Sequence, residues 1–188
     1  MTGSEGYDHV PVLAKETIDA LNIRAEGIYA DGTLGGGGHA SLICRKLSGE
    51  GLLVGIDRDE EALTAAEQSL TKYKCRKIFE NSNYADIKTI LKKNNIETVN
   101  GALLDLGVSS FQLDTTDRGF SYMNDAPLDM RMNQRDSLTA EKVVNTYSEK
   151  DLTGIIRKYG EERWASRISK FIVRSRKEKP INSTGQLT

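Results

Sequence analysis

The chain has 188 residues, of which 26 are Lys or Arg and 27 are Asp or Glu, so its formal net charge is −1. This length predicts one domain with a buried core, or one domain with a small appendage. The near-neutral total excludes a protein whose overall charge attracts a polyanion, so any basic surface must be local. Residues 1–6 carry no secretory or transit signal and no apolar run reaches membrane-spanning length, which predicts a soluble, cytoplasmic protein without a membrane partner. Cys44 and Cys75 lack metal-ligand spacing, so we expect reduced, buried thiols and no metal site.

Strands and helices alternate through the first 106 residues. Short apolar runs predict strands at residues 28–30, 52–56, 77–79 and 102–106. Helical spacing predicts apolar faces formed by Leu42, Ile43 and Leu47, by Ala62, Leu63, Ala66 and Leu70 behind an Asp59 cap, and by Ile87, Ile90 and Leu91. The fourth strand, bounded by Gly101 and Gly107, is expected to be buried and to end in an acid. This βαβαβαβ pattern predicts an α/β fold with a parallel sheet.

The segment between the first strand and its helix is the most informative motif of the chain. It reads Asp31-Gly32-Thr33-Leu34-Gly35-Gly36-Gly37-Gly38-His39. Glycines at a strand-to-helix turn let a ligand approach the backbone closely, which is typical of a cofactor site. The subset Gly35-x-Gly37-x-x-Ala40 also satisfies the dinucleotide fingerprint, whose helix start receives a pyrophosphate. The motif alone therefore leaves the identity of the cofactor open.

Two acids at strand ends favour S-adenosylmethionine over a nicotinamide dinucleotide. Asp31 ends the first strand beside the glycines, where a carboxylate repels a pyrophosphate and attracts an ammonium or sulfonium group. S-adenosylmethionine carries both of these cations and no phosphate. Asp57 ends the second strand, about 20 residues past the turn, where a carboxylate can accept hydrogen bonds from ribose hydroxyls. We therefore expect both acids to serve this cofactor.

The chain changes character after residue 106. Residues 107–137 are polar, rich in turn residues and poor in periodicity, and the remainder is helical. In the last long helical segment, an apolar stripe lies beside a basic stripe. The apolar stripe comprises Trp164, Ile168, Phe171 and Ile172, and the basic stripe comprises Arg163, Arg167, Lys170 and Arg174. Residues 157–179 hold nine Lys or Arg against three Glu, which predicts contact with an RNA backbone, with the solvated face of an ordinary amphipathic helix as an equal alternative.

Eight unusual segments follow one another along the sequence. They are residues 9–13 (HVPVL), 31–39 (DGTLGGGGH), 57–59 (DRD), 104–110 (LDLGVSS), 112–114 (QLD), 118–121 (RGFS), 127–132 (PLDMRM) and 159–163 (YGEER). Together they resemble the bacterial 16S ribosomal RNA cytosine N(4)-methyltransferase family, also called the MraW or RsmH family. The resemblance runs from His9 to the end of the chain.

This resemblance implies a class I S-adenosylmethionine-dependent methyltransferase, whose four strands present here would form a partial parallel sheet of order 3-2-1-4 with an uncovered edge at the fourth strand. Residues 1–110 would form the first part of its Rossmann-like cofactor-binding domain, and residues 111–188 a polar loop with an incomplete helical substrate-recognition insertion. The implied acceptor is a cytosine amine in the decoding region of 16S ribosomal RNA, within the small ribosomal subunit, and a homodimer is left open. The family's cofactor contacts fall on Gly37, Gly38, His39, Asp57, Tyr84, Asp105 and Gln112. Because family members are longer, we expect this chain to keep most of these contacts but to have reduced or no activity alone.

The chemistry of an exocyclic amine sets requirements of its own. The amine is a poor nucleophile because its lone pair is delocalised into the ring, so the enzyme must align it with the methyl group and accept its hydrogen bonds. Asp105, Ser109 and Ser110 follow the fourth strand beside the cofactor and are the candidate catalytic residues, although Asp105 can serve the cofactor instead. Transfer to ring carbon five would need a thiolate, and neither cysteine falls in a cleft loop.

Two other functional classes stay open at this point. An NAD-linked oxidoreductase is disfavoured by Asp31, and a nonenzymatic RNA-binding protein would need only the basic stripe. Among methyltransferases, a DNA amine methyltransferase is disfavoured, since no Asp-Pro-Pro-aromatic motif follows the fourth strand.

Overall fold

A computed structural model describes residues 11–188, apart from the side chains of Ser110 and Phe111. The chain divides into two compact units, with the boundary between Phe111 and Gln112. His9 and Val10, which open the first of the family-like segments, lie outside the described residues. Within residues 11–188, no helix is both long and apolar enough to cross a membrane.

The first unit is built on a parallel sheet. Its strands are β1 (Ile28–Asp31), β2 (Leu52–Asp57), β3 (Arg76–Asn81) and β4 (Gly101–Leu103). All pairings are parallel, and the spatial order is β3-β2-β1-β4, which confirms the order predicted from the sequence. Because the strands are parallel, Asp31 and Asp57 end neighbouring strands at the same edge of the sheet.

Helices cover both faces of this sheet. They are α1 (Ala14–Leu21), α2 (Gly38–Lys46), α3 (Glu60–Leu70) and α4 (Ile87–Lys93), with a 3-10 turn at Tyr84–Asp86 before α4. Side chains alternate along the strands, so Tyr29 and Leu53 join one apolar cluster while Ala30 and Val54 join another. The predicted apolar face of α3 is buried, and the Asp59 side chain accepts a hydrogen bond from the backbone N–H of Glu61 at the start of that helix, as the sequence predicted.

The fourth strand departs from its prediction. It was expected to be buried over residues 102–106, but it ends at Leu103, and Ala102 within it is exposed. Leu104 and Leu106 follow the strand and are 48% and 66% exposed. Among the described residues β4 pairs only with β1, so nothing extends or covers its free side, and an apolar run there does not become a buried strand.

The two cysteines lie together in the first apolar cluster. Cys44 and Cys75 are buried, and their thiols hydrogen-bond to each other, which confirms the expectation of buried thiols. Burial first, and then the neighbouring thiol, raise the pKa of Cys44 to about 12. The cluster therefore holds Cys44 as a protonated, unreactive thiol.

The second unit is helical, as predicted for the end of the chain. Its elements are α5 (Ser110–Asp114), which begins in the first unit, a 3-10 turn at Thr116–Arg118, α6 (Ala140–Thr146), α7 (Glu149–Gly160), α8 (Ala165–Glu178) and α9 (Thr184–Leu187). Its small core comprises Leu128, Val144, Leu152, Ile172 and Ile181. The Arg176 guanidinium donates to the backbone oxygens of Val144 (2.6 Å) and Tyr147 (2.7 Å), which ties α8 to the end of α6. This contact satisfies carbonyls that a helix end otherwise leaves unpaired.

Candidate cofactor and nucleic-acid sites

The glycine turn has the conformation that a closely approaching ligand requires. Gly35 and Gly37 have φ values of +50° and +85°, in the left-handed region that favours glycine. A Cβ atom added at Gly32 would lie 2.5 Å from Leu104, whereas one added at Gly36 would meet nothing within 4 Å. Gly37 forms the N-cap of α2 without a side-chain cap hydrogen bond. The turn therefore presents open backbone at Gly36 and a helix start without a side-chain cap.

Asp57 fixes this turn to the second strand. One of its carboxylate oxygens accepts a hydrogen bond from the backbone N–H of Gly35 (2.7 Å), and the other accepts from the backbone N–H of Asp59 (2.9 Å). Each carboxylate oxygen has two lone pairs, so both retain the capacity to accept a further hydrogen bond. The acid predicted to contact a ribose thus also shapes the turn beside it.

Asp31 is a buried carboxylate in which only one of the two oxygens accepts a hydrogen bond from the described residues. It is 1% exposed, and Oδ1 accepts a hydrogen bond from the backbone N–H of Thr33 (3.1 Å). Its Oδ2 has no hydrogen-bond partner among the described residues. Burial raises the pKa of this carboxyl to about 6, with smaller contributions from the charges of Asp57 and Asp105, while the Thr33 hydrogen bond and His39 lower it. The charges of Asp57 and Asp105 act on this carboxyl, and the negative charge of the three acids disfavours a pyrophosphate.

His39 and Asp105 present two hydrogen-bond acceptors close to each other. His39 Nε2 lies 3.0 Å from the backbone oxygen of Val12, and because a carbonyl can only accept, Nε2 carries the proton. In the neutral ring, Nδ1 is then an acceptor, and it lies 3.7 Å from Oδ2 of Asp105, which is too far for a hydrogen bond. The Asp105 side chain is 54% exposed, and its backbone N–H donates to Thr33 Oγ1 (2.7 Å). An ammonium group that lies beside these two atoms, rather than between them, could donate a hydrogen bond to each.

The other predicted site residues have different positions. Tyr84 is 40% exposed in the 3-10 turn, and its Cβ would lie 3.0 Å from a Cβ added at Gly32, so it borders the glycine turn. Ser109 also borders it, since its Cβ would lie 3.9 Å from a Cβ added at Gly35. The side chain of Ser110 lies outside the described residues. Gln112 is buried in the second unit.

Thr33 and Val12 are site residues that the sequence analysis did not identify. Thr33 links Asp31 to the backbone of Asp105, and Val12 orients the ring of His39. The only sequence signal for them is their position inside the first two family-like segments. The role of Val12 cannot be inferred from residue type, because its contact uses a backbone oxygen that every residue has, whereas Thr33 uses its hydroxyl.

The fold and this edge together define a class of protein. A parallel sheet of order 3-2-1-4, with a glycine turn after the first strand and an acid after the next, is a Rossmann-like architecture, and the buried carboxylate of Asp31 beside the turn favours a class I S-adenosylmethionine-dependent methyltransferase domain. The comparison with known proteins agrees with this class.

The MraW methylase family matches residues 6–188, and the chain belongs to this family. Ribosomal RNA small subunit methyltransferase H of Clostridioides difficile (strain 630) is 52% identical over 181 residues, which cover 96% of this chain and 58% of that protein. Ribosomal RNA small subunit methyltransferase H 2 of Agathobacter rectalis is 53% identical over 182 residues, with the same coverage. The chain thus spans about three fifths of the length of these relatives. The methyl donor of this family is S-adenosylmethionine, the cofactor predicted from the sequence.

A crystal structure of a protein from Clostridium thermocellum superposes on 43% of this chain, with 46% of the other chain included, at 14% identity and a TM-score of 0.39. A likeness of that size does not bear on the fold.

The predicted apolar stripe of α8 is not its buried face. The residues of α8 that are buried are Ala165, Ser169 and Ile172, and of the predicted stripe only Ile172 is among them. Trp164 and Phe171 are each 55% exposed, and Ile168 is 38% exposed. Small side chains at 165 and 169 face the protein because they allow close packing against a neighbouring helix, which large side chains would prevent.

The predicted basic stripe is exposed beside these rings. Arg163, Arg167, Lys170 and Arg174 are all exposed. The guanidinium carbon of Arg163 lies 5.6 Å from the centroid of the Trp164 ring, and that of Arg167 lies 5.7 Å from the centroid of the Phe171 ring. Both distances fall within the range of a cation–π contact. Cations and aromatic rings therefore share one surface of the second unit.

Proposed function

We propose that this chain binds S-adenosylmethionine and contributes to methylation of the exocyclic N(4) amine of a cytosine in 16S ribosomal RNA. The observation that carries the proposal is the set of carboxylates around an open glycine turn. Membership in the MraW methylase family and about 50% identity to small subunit methyltransferases support it. Residues 1–110 would be the cofactor-binding part and residues 111–188 the substrate-recognition part, and the small ribosomal subunit and the cytoplasm follow as partner and location.

The residues at the turn fit the proposed cofactor. The backbone at Gly36 is open, and the start of α2 can receive the carboxylate of an amino-acid group. His39 Nδ1 and Asp105 Oδ2 can both accept hydrogen bonds from the ammonium of the same group, and the buried negative charge of Asp31 favours a cation nearby. Asp57 has lone pairs left for ribose hydroxyls, and the exposed ring of Tyr84 can stack on adenine. When bound, S-adenosylmethionine supplies a methyl group on a positively charged sulfur.

Asp105 is the candidate that can act on the acceptor amine. Its carboxylate is exposed at the end of β4 and can accept a hydrogen bond from the amine, which aligns the nitrogen and draws off a proton as the new bond forms. Its position is fixed by the hydrogen bond from its own N–H to Thr33. Ser109, beside the turn, supplies a hydroxyl in the same region, and Ser110 follows it in the chain. We propose that these groups orient the base rather than form a covalent bond to it.

Calorimetry with S-adenosylhomocysteine tests the cofactor half of the proposal first, because the chain holds most of the predicted cofactor contacts. We expect binding to the wild type, weaker binding to Asp105→Asn, and unchanged binding to Glu67→Gln, a matched exposed acid on α3. Labelled methyl transfer to small-subunit RNA, followed by nucleoside analysis, tests the acceptor, with N(4)-methylcytidine as the expected product. Label on uridine or on protein would refute the acceptor, and stabilisation by NADH in place of S-adenosylhomocysteine would refute the cofactor.

A further inference from the structure

The outer surface of α8 combines two features that are rarely left exposed together. We define this α8 outer surface by the apolar residues Trp164, Ile168 and Phe171 and the cations Arg163, Arg167, Lys170 and Arg174. The opposite side of the helix is the one that packs in the second unit, through Ala165, Ser169 and Ile172. The exposed rings are therefore not needed for the packing of α8.

The cations on this surface are not used to stabilise the fold. Among the described residues, none of the four makes an ion pair or a hydrogen bond through its side chain, and two of them lie over the exposed rings. Arg176, on the packed side of the same helix, contrasts with them because it is fixed by two backbone carbonyls. Exposed rings beside cations that no acid neutralises are typical of a binding surface.

The charge of the surface selects among the partners that could cover exposed rings. Residues 157–179 have nine cations against three Glu, so a second copy bound through the same surface would bring like charges together. A double helix offers phosphates but keeps its bases stacked on one another, out of reach of the rings. An unpaired strand offers both phosphates and free base faces.

We propose that the α8 outer surface binds an unpaired segment of RNA, with bases stacked on Trp164 and Phe171 and phosphates held by the four cations. This inference rests on the proposed function and specifies the form of RNA that the second unit takes. The two rings are seven residues apart, which is about 10 Å along a helix and matches roughly three nucleotides of a stacked strand. Arg163 and Arg167 lie beside these rings and would move from the rings to the phosphates or bases.

The fluorescence of Trp164 reports directly on this surface, because it is the only tryptophan in the chain. The 188-residue protein is titrated with an unstructured single-stranded RNA of about 12 nucleotides, with the same sequence as a duplex, and with inorganic polyphosphate. We expect quenching by the single strand and little quenching by the duplex or polyphosphate. Equal quenching by polyphosphate or the duplex would overturn base stacking, and no quenching by the single strand would overturn the site.

Variants separate stacking from charge. We expect Trp164→Ala and Phe171→Ala each to weaken binding of labelled RNA by about five- to hundred-fold, and Trp164→Phe to stay within about three-fold of the wild type. Leu138→Ala removes an equally exposed apolar side chain elsewhere in the second unit, and Lys150→Ala an exposed cation of α7, and both should leave binding unchanged. Wild-type affinity in Trp164→Ala and Phe171→Ala would overturn the inference. If these variants and the wild type still bind S-adenosylhomocysteine, that failure leaves the proposed function standing.

Discussion

Replacement of Asp31 by Asn should stabilise the fold at neutral pH while it weakens cofactor binding. Burial raises the pKa of this carboxyl from 3.8 to about 6, and at 1.36 kcal/mol per unit the shift corresponds to about 3 kcal/mol. Because the folded-state pKa is the higher one, the favourable contribution of protonated Asp31 is complete below pH 3.8 and is lost as the pH rises through about 6. Above that pH, the folded protein carries a buried charge at a cost in stability.

Asn keeps the shape of the side chain and removes the charge. It can still accept the hydrogen bond from Thr33, but its amide takes the place of the unpartnered Oδ2, and an unpaired buried amide costs about 1–2 kcal/mol. The net gain at pH 8 is therefore about 1–2 kcal/mol, and it should vanish or reverse near pH 4. Urea unfolding of the wild type and the variant across this pH range measures the difference.

The same variant should lose affinity for S-adenosylmethionine at pH 8, by about tenfold or more. The substitution removes the negative charge of Asp31, which attracts the ammonium and sulfonium groups of the cofactor. Calorimetry on the variant, with Glu67→Gln as a control for loss of a carboxylate, gives the comparison. An Asn variant that is less stable than the wild type at pH 8 as well as at pH 4, or that keeps full affinity, would contradict the electrostatic role of Asp31.

Three further outcomes follow from particular contacts. Gly37→Ala should lower the free energy of unfolding in urea by about 1–2 kcal/mol because Gly37 has a positive φ. Gly36→Ala should leave that free energy nearly unchanged but weaken binding of S-adenosylhomocysteine, since the added methyl group enters the open side of the turn. Two variants that change stability equally and change binding equally would refute this distinction. Arg176→Ala should destabilise the second unit by about 2 kcal/mol through two lost hydrogen bonds, with loss of helical circular dichroism at lower urea, and unchanged unfolding would refute the role of this contact. Cys44 should react with a thiol reagent at pH 8 far more slowly in the folded protein than in urea, and similar rates would contradict its buried, protonated state.

The parts of the fold that depend on neighbouring residues in the sequence were predictable. The alternation of strands and helices indicated a parallel sheet, whose strand order came from the family resemblance, and the spacing of Ala62, Leu63, Ala66 and Leu70 indicated the buried face of α3. Asp59 was predicted as a cap because a capping carboxylate acts on the amide two residues further on. The carboxylates at strand ends were predictable for the same reason, since a parallel strand carries its last residue to one edge of the sheet.

The features that depend on a distant partner were not predictable. The strand β4 ends where its pairing with β1 ends, at Leu103, and no described strand pairs with its other side. The prediction that the apolar residues beyond Leu103 continue a buried strand was therefore wrong. In α8, the sequence indicated an apolar stripe with Trp164 and Phe171 but not which side of the helix is buried, and packing within the second unit selects the small side chains of Ala165 and Ser169. The orientation of His39 depends on the backbone oxygen of a residue 27 positions earlier, which no pattern of side chains encodes.

The measurement that tests this account most directly is parallel calorimetry of the wild-type chain with S-adenosylhomocysteine and with NADH at pH 8. The carboxylates of Asp31, Asp57 and Asp105 at one edge of the sheet predict heat of binding from the adenosyl compound and none from the pyrophosphate-containing one. Saturable binding of NADH, together with no heat of binding from S-adenosylhomocysteine, would contradict this prediction.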